Sequence, residues 1–502
     1  MTSRIPSRWL ALGALSVAML TIGLDVTVLT VALPTLAVDL GANTSALQWF
    51  STAYTLALAA VMLPAGALGD RFGRKKMLLG ALALFGVASV ACAFAADSGQ
   101  LITARTVLGI AAAVMMPLSM SVLPVLFPDA AERARALTVW VTSTAIGLPL
   151  GPIVGGWLLD HFWWGSVFLI NVPLVVIGGI AVALLVPESR SSSRAPIDLT
   201  GIALSASGML GVTYGFIRAG EAGWSDGVAW ATIGGGLVLI GAFVVFQRRS
   251  RHPLVDLTLF AKPGFRWGAV FSVLVNFGMM GLFFTVPQYY QAVLGVDALG
   301  SGLRLLPLIG GLVVGTRIGG RILPRTSPRI VVALGFSALT AGLALGAFTS
   351  VGTGYGMTAT WIALVGAGMG LTMPVAMAVA IDALDVENSG SGSGLLQALR
   401  QAGGTIGVAL LGTVLATQYR AELGALDVDP IRDGVNAGVA VARSAGDNAM
   451  LDHVQAAFVS GMSVMLWVCA ALCLAGVAIA LRVMPRRSTA SVEHAPESVH
   501  VG

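Results

Sequence analysis

Residues 10–36 read Leu10-Ala-Leu-Gly-Ala-Leu-Ser-Val-Ala-Met-Leu-Thr-Ile-Gly-Leu-Asp25-Val-Thr27-Val-Leu-Thr30-Val-Ala-Leu-Pro34-Thr-Leu36, with one charge in the whole stretch. About 20 helical residues at 1.5 Å each cross the roughly 30 Å hydrocarbon core of a bilayer. The run is long enough to span. It is continuous rather than alternating, so it reads as a helix and not as a barrel strand. It is too long for a cleavable signal peptide, contains an acid, and leads straight into further apolar runs.

The rest of the chain repeats this pattern. Of 502 residues, 56% are apolar and only 11% charged, against about 25% charged in ordinary soluble domains. That scarcity excludes cytosolic enzymes, nucleic-acid binders and disordered scaffolds, and the mean hydropathy of +0.86 agrees. The 63 glycines suit helices that pack closely in lipid. Apolar windows recur near 10–36, 47–68, 76–96, 100–126, 137–159, 166–186, 200–219, 228–246, 266–291, 301–322, 329–349, 355–381, 395–417 and 458–482. The expected fold is an all-α integral membrane protein with fourteen spans.

Charge sets the expected orientation. With the N-terminus in the cytoplasm, 21 of the 29 basic residues fall in inner segments and only Arg218, Arg420, Arg432 and Arg443 in outer ones. This split predicts both termini inside, by the positive-inside rule. The net charge of +5 is then a membrane signature and gives no reason to expect nucleic acid. The outer segment 418–457 reads as a solvated connector or, alternatively, a substrate vestibule, and 488–502 as a disordered cytoplasmic tail.

The chain also repeats itself. Gly109, Met116-Pro117 and Met120 in the fourth window recur at an offset of 257 as Gly366, Met373-Pro374 and Met377 in the twelfth. Gly66-Ala-Leu-Gly-Asp70-Arg71-Phe-Gly73-Arg74-Lys75 has a degenerate echo from Gly320 to Arg329. Two six-helix halves are expected, at 1–190 and 253–487, with two inserted helices over 191–252. Parallel halves are a transporter plan, with the substrate site between them at mid-membrane.

Asp25 is the acid placed deepest in an apolar window. Its insertion costs at least about 2.5–3.5 kcal/mol, so a function is the default reading. A carboxylate at that depth can take up a proton, lose it, and attract a cation. Arg105, about 7–8 Å below the outer end of the fourth span at 1.5 Å per residue, is its expected partner. Asp25 itself lies about 16 Å below the outer end of its span by the same count, a difference an arginine side chain can largely bridge. Between the second and third windows, Gly66 and Gly73 allow a tight turn. Asp70 sits near a positive helix end. Arg71 and Arg74 can pair with Asp129 or Glu132 as a latch. In the fifth window, Gly147, Gly151 and Gly155 form a smooth packing face, while Pro149 and Pro152 are expected to bend the helix. With Gly156 they make either ordinary small-residue packing or a hinge and seal between halves.

These residues resemble the major facilitator superfamily, and among its branches the fourteen-span drug:proton antiporters (the DHA2 type). The resemblance rests on Leu24-Asp25 to Pro34, the 66–78 loop, Leu101 to Ala113, Gly147 to Gly156, Trp164 to Pro173 with Asn171, and Pro187-Glu188-Ser189. Thr30 and Leu108 depart from the usual Asn and Gln. The resemblance implies alternating access, with drug export driven by proton entry. It implies Asp25 as the protonation site, Arg105 as its relay partner, and Asp70, Arg71 and Arg74 as the gate.

A pocket for bulky apolar compounds should be aromatic and flexible. Candidates are Trp49, Tyr54, Met115, Met116 and Met120 from the first half, and Asn276, Met279, Met280, Gln288, Tyr289, Met369 and Met373 from the second. The expected partners are a small drug-like molecule, protons and the lipid bilayer of the cell membrane, with a monomer sufficient and no nucleic acid. A dedicated exporter of one metabolite is the alternative. All five histidines fall in loops or the tail, no paired intramembrane carboxylates exist, and no Gly-Lys-Ser/Thr phosphate loop appears. An enzyme, a catalytic or structural metal, a cofactor and ATP are therefore not expected. Cys92, Cys469 and Cys473 read as small buried hydrophobes.

Overall fold

The computed structural model describes residues 5–127, 129–189, 198–250, 253, 255–384 and 389–484. The expected tail at 488–502 lies outside the described residues, as do Arg4, Arg190, Arg194, Arg251, Arg486 and Arg487. Among the described residues the chain is helical throughout, with turns and no strand. This is the outcome lipid imposes, since a helix satisfies its own backbone groups.

Among the described residues seventeen α-helices follow in order. The first seven are α1 (Ile5–Asp39), α2 (Thr44–Phe72), α3 (Arg74–Ala93), α4 (Ser98–Leu126), α5 (Ala130–His161), α6 (Ser166–Leu169) and α7 (Asn171–Leu185). Next come α8 (Leu199–Ala222) and α9 (Gly227–Arg249). The last eight are α10 (Pro263–Gln288), α11 (Ala298–Leu303), α12 (Leu306–Ile322), α13 (Pro328–Gly346), α14 (Tyr355–Asp382), α15 (Ser389–Leu423), α16 (Val435–Ala445) and α17 (Asn448–Val483). Among the described residues, twelve segments are long and apolar enough to cross a membrane. The helices α2 and α5, of 29 and 32 residues, lie outside that set of twelve.

Aspartate does much of the work at helix starts. Asp97, Asp129, Asp198, Asp226, Asp297 and Asp447 each accept a hydrogen bond from a backbone N–H in the first turn of the following helix. An N-cap carboxylate satisfies an orphan donor and meets the positive helix end. The scarce acids are thus spent at interfaces with water. Two expected windows break. Pro173 lacks the N–H that the carbonyl of Leu169 would take, and the window 166–186 divides at Ile170 into α6 and α7. The window 301–322 divides at Arg304-Leu305, with Pro307 in the first turn of α12.

Buried apolar side chains gather mainly in two clusters. One draws almost entirely on α1–α7 and the other on α10–α17. Within the first, α1 packs on α5 and α7, and α2 on α4; within the second, α14 packs on α12 and α13, and α10 on α15. Between them, α2 packs on α15, α5 on α11, and α1 on α10. The inserted pair packs on itself, and α8 also lies against α2 and α15.

The segment 418–457 is not a solvated connector. Val435, Val439 and Ala442 form an i, i+4, i+7 stripe that α16 buries, chiefly against α17. Asp433 O accepts from Thr44 Oγ1 at 2.8 Å, and Asn436 Nδ2 donates to Gln288 Oε1 at 3.3 Å. The charged residues on its other faces hid this amphipathic stripe.

Candidate functional site

The site is built on α1, α4 and α7. Asp25 lies midway along α1 and is wholly buried. Its Oδ2 accepts from Arg105 Nη1 at 2.7 Å, and its Oδ1 accepts from Asn171 Nδ2 at 2.9 Å. Arg105, also buried, sits two turns into α4, so its side chain reaches α1 at the depth of Asp25. Its Nε donates to the carbonyl of Phe50 at 3.1 Å. Its guanidinium lies 4.5 Å from the ring centroid of Tyr54 and 5.9 Å from that of Phe168. Asn171 is the first residue of α7, directly after the break, and its Nδ2 also approaches Ser89 Oγ at 3.4 Å. Carboxylate, cation and amide therefore form one sealed polar cluster. A buried ion pair needs this additional hydrogen bonding to offset its desolvation.

Beside the cluster lies a small cavity of about 30 Å³, roughly the space of one water molecule. The first helical set contributes Val26, Leu29, Thr30, Ser51, Tyr54, Thr55 and Arg105, and the second contributes Met280, Phe283, Phe284, Gly404 and Val408. Asp25 does not line it. Arg105 and Tyr54 stand between the carboxylate and the space shared by both sets. Of the pocket residues expected from sequence, Tyr54 and Met280 line this cavity. Trp49 instead faces α8, its ring 6.5 Å from that of Tyr214. Gln288 and Tyr289 are tied into the end of α10, where Tyr289 Oη donates to Ser350 O at 3.1 Å. Met120 is 41% exposed. Met115 and Met369 are core residues, while Met116, Met279 and Met373 pack at the edge of the two clusters. Asn276 Nδ2 donates to the carbonyl of Arg400 at 2.6 Å.

The 66–76 stretch joins α2 to α3 through a single residue, Gly73, whose φ of +106° a side chain would strain. Gly66 and Asp70 belong to the last turns of α2, and their surroundings lie outside the described residues. Glu188 and Ser189, after α7, close on the turn: Lys75 N donates to Glu188 Oε1 at 3.2 Å and Arg74 N to Ser189 O at 3.0 Å. Arg74 Nη1 reaches the carbonyl of Ser121 at 3.0 Å, and the Arg71 guanidinium lies 5.6 Å from the Phe72 ring centroid. Glu132 pairs with Arg8 at 3.5 Å, and Asp129 caps α5. A carbonyl at the end of α4 offers Arg74 a fixed acceptor close by.

The glycines of α5 divide by face. A Cβ at Gly151 would come within 2.0 Å of Thr27 Oγ1, and one at Gly147 within 2.9 Å of the Gly23 backbone, so these positions press α5 on α1. A Cβ at Gly155 would stand 2.6 Å from Val28 Cγ2. Gly156 faces the other set: its Cβ would stand 2.5 Å from Leu299 Cα in α11, while Pro152 O crowds Gly302. Through Pro149 and Pro152 the helix α5 continues unbroken.

Sequence reasoning did not single out Asn171 or Ser89 as site residues. The available signal was an amide placed at a helix start within an apolar window, just after the aromatic turn Trp163-Trp164-Gly165. The cavity hydroxyls Ser51 and Thr55 had no signal, because only the packing of α2 on α15 places them.

A wholly buried acid and arginine in a bundle of two packed helical sets is the arrangement of a membrane transporter, and the comparisons with known proteins agree. Residues 15–408 match the Major Facilitator Superfamily. The chain is 34% identical to the multidrug efflux pump LfrA of Mycolicibacterium smegmatis, over 95% of this chain and 97% of that one. It is 30% identical to the tetracenomycin C resistance and export protein of Streptomyces glaucescens, over 98% and 94%. Its fold is similar to a bacterial homologue of the human lysosomal transporter Spinster, at a TM-score of 0.68 and 16% identity over 95% of this chain and 97% of that one. The chain belongs to the Major Facilitator Superfamily. It is a membrane transporter and not an enzyme, and the relatives named above are exporters of drugs and antibiotics.

Proposed function

We propose that this chain exports drug-like compounds across the cytoplasmic membrane in exchange for protons, by alternating access. The observation that carries the reading is the Asp25 carboxylate, wholly buried at mid-helix and held by Arg105 and Asn171. Proton entry at Asp25 would neutralise the partner of Arg105. Arg105 borders the cavity and Asp25 does not, so the charge change reaches the substrate space through the guanidinium and the Tyr54 ring. Proton and substrate then compete through Arg105 rather than for one carboxylate.

On this reading α2 and α5 cross the membrane too, which brings the twelve spans to fourteen. The halves are 1–190 and 253–487, with α8 and α9 inserted, both termini are cytoplasmic, and one chain suffices. The end of the bundle carrying Asp39 and Gly295 is then the outer one. Hydrogen bonds between the halves gather toward it: Gln291 Nε2 to Val31 O at 2.9 Å, Leu299 N to Asp160 Oδ2 at 3.2 Å, and Gln48 Nε2 to Ala409 O at 3.3 Å. Such an arrangement is closed outward. Gly73 and its neighbours, including Asp70, Arg71 and Arg74, form the inner gate, and Gly156 the outer seal.

Dye export from everted vesicles tests the reading. An imposed proton gradient should drive export by the wild-type chain, and Asp25→Asn should abolish the response. Export that ignores the gradient, or that Asp25→Asn leaves intact, overturns it. The similarity to a resistance protein for the single compound tetracenomycin C favours a second reading, a dedicated exporter. Resistance to one compound and not to chemically unlike ones would select it.

A further inference from the structure

Arg400 lies within α15, and among the described residues it has no counter-charge. Its Nη1 donates to the neutral Gln397 Oε1 at 2.5 Å and lies 3.6 Å from Met377 Sδ. Its Nε is enclosed and finds no partner. Among the described residues no carboxylate pairs with it. Arg400 is half-buried, and a guanidinium drawn partly out of water without a carboxylate is costly, so a position that retains one calls for an anion.

Its place in the fold says where that anion comes from. Gly404 and Val408 line the cavity shared by the two helical sets. Arg400 is the next residue on the same i, i+4, i+8 stripe, one helical turn toward the N-terminal end of α15. The spacing sets Arg400 one turn from the cavity residue Gly404, with its side chain against Gln397 and Met377 of the second set. The charge that lines the cavity, Arg105, is cancelled by Asp25 at 2.7 Å. Arg400 is then the guanidinium without a carboxylate partner among the described residues nearest along α15 to that cavity, next to the flexible apolar surface of Met377. A guanidinium holds a carboxylate or phenolate by charge-assisted hydrogen bonds.

We infer that Arg400 anchors an anionic group, a carboxylate or phenolate, on the exported compound, so that acidic amphiphiles are preferred over neutral and cationic ones. The inference rests on the exporter reading and names its substrate class.

Three probes that share one apolar body test it: pyrene-1-butyrate, its methyl ester, and a pyrenebutyl trimethylammonium. Each is titrated by fluorescence at pH 7 against the full chain in phosphatidylcholine nanodiscs. Loss of a charge-assisted hydrogen bond corresponds to roughly tenfold or more in affinity. The butyrate should bind about tenfold tighter than the other two. Arg400→Gln should bring the ratio of butyrate to ester near one, and Arg400→Lys should keep a preference for the acid. Equal binding of butyrate and ester by the wild type overturns the inference without recourse to any variant. So does an Arg400→Gln protein that still prefers the acid. Nanodiscs containing phosphatidylglycerol separate the two sources of an anion: an unchanged preference supports a substrate group, and a lost one assigns the site to lipid headgroups and overturns the inference. Gradient-driven export of the methyl ester, measured in parallel with Asp25→Asn, reports on the exporter reading alone.

Discussion

At the scale of single residues, the cluster of Asp25, Arg105 and Asn171 separates the group that would carry a proton from the space that would carry a substrate. Each oxygen of the carboxylate has its own donor. Removing a donor should therefore be graded in effect. Asn171→Leu leaves the ion pair and removes one hydrogen bond to a charged group, worth about 1.5–3 kcal/mol. Export at a fixed gradient should fall about tenfold. Arg105→Ala leaves a buried carboxylate without its cation, a loss of about 3–5 kcal/mol. A lower thermal midpoint in detergent should record it, and Asp25→Asn in the same chain should restore part of the loss.

At the scale of elements, the helix α5 uses its two glycine faces differently, and substitutions should tell them apart. Gly151→Val drives a side chain into Thr27 within the first helical set. Overpacking of this kind costs about 1–3 kcal/mol, and the expected outcome is a less stable protein that exports little. Gly156→Val pushes instead on the backbone of Leu299 in α11. The first set should stay folded while the end carrying Asp39 opens. Spin labels at Val38 and Val296 should then report longer distances than in the parent chain. Unchanged distances would show that Gly156 is no seal. At the junction of α2 and α3, Gly73→Ala meets both a positive φ and the Glu188 carboxylate, 2.8 Å from the new Cβ. A cost of about 1–2 kcal/mol is expected from the backbone alone. Among the residues expected to matter in this stretch, the turn glycine was legible because a one-residue link between two helices demands it. The acceptors of Arg74 were not, since they come from the far ends of α4 and α7.

At the scale of the molecule, charge and packing make separate statements. The basic residues assign sides, and cysteine labelling tests them. In a chain freed of its three native cysteines, cysteines at Ser225 and Asp427 should react with an impermeant reagent in whole cells. Those at Phe72 and Ser250 should react only after permeabilisation. Any exchange between these pairs would remove or add a span and overturn the fourteen-span topology.

What the sequence determined by itself was the solvent and the depth of each group. Long apolar windows in a chain with 11% charged residues can only be helices in lipid, and the basic loops and capping acids mark where those helices meet water. Asp25 and Arg105 stood out for the same reason: each is a charge where charges are expensive, and that cost is readable along one dimension. The tertiary structure decided everything that depends on rotation about the helix axes. It chose Asn171 as the second partner of Asp25, turned Trp49 toward α8, packed α16 against α17, and set Arg400 against Gln397 and Met377 with no carboxylate partner among the described residues. The apolar windows show little amphipathic asymmetry, because lipid and protein interior are about equally apolar. A helix in such surroundings does not announce which face it buries, and only its neighbours settle the question.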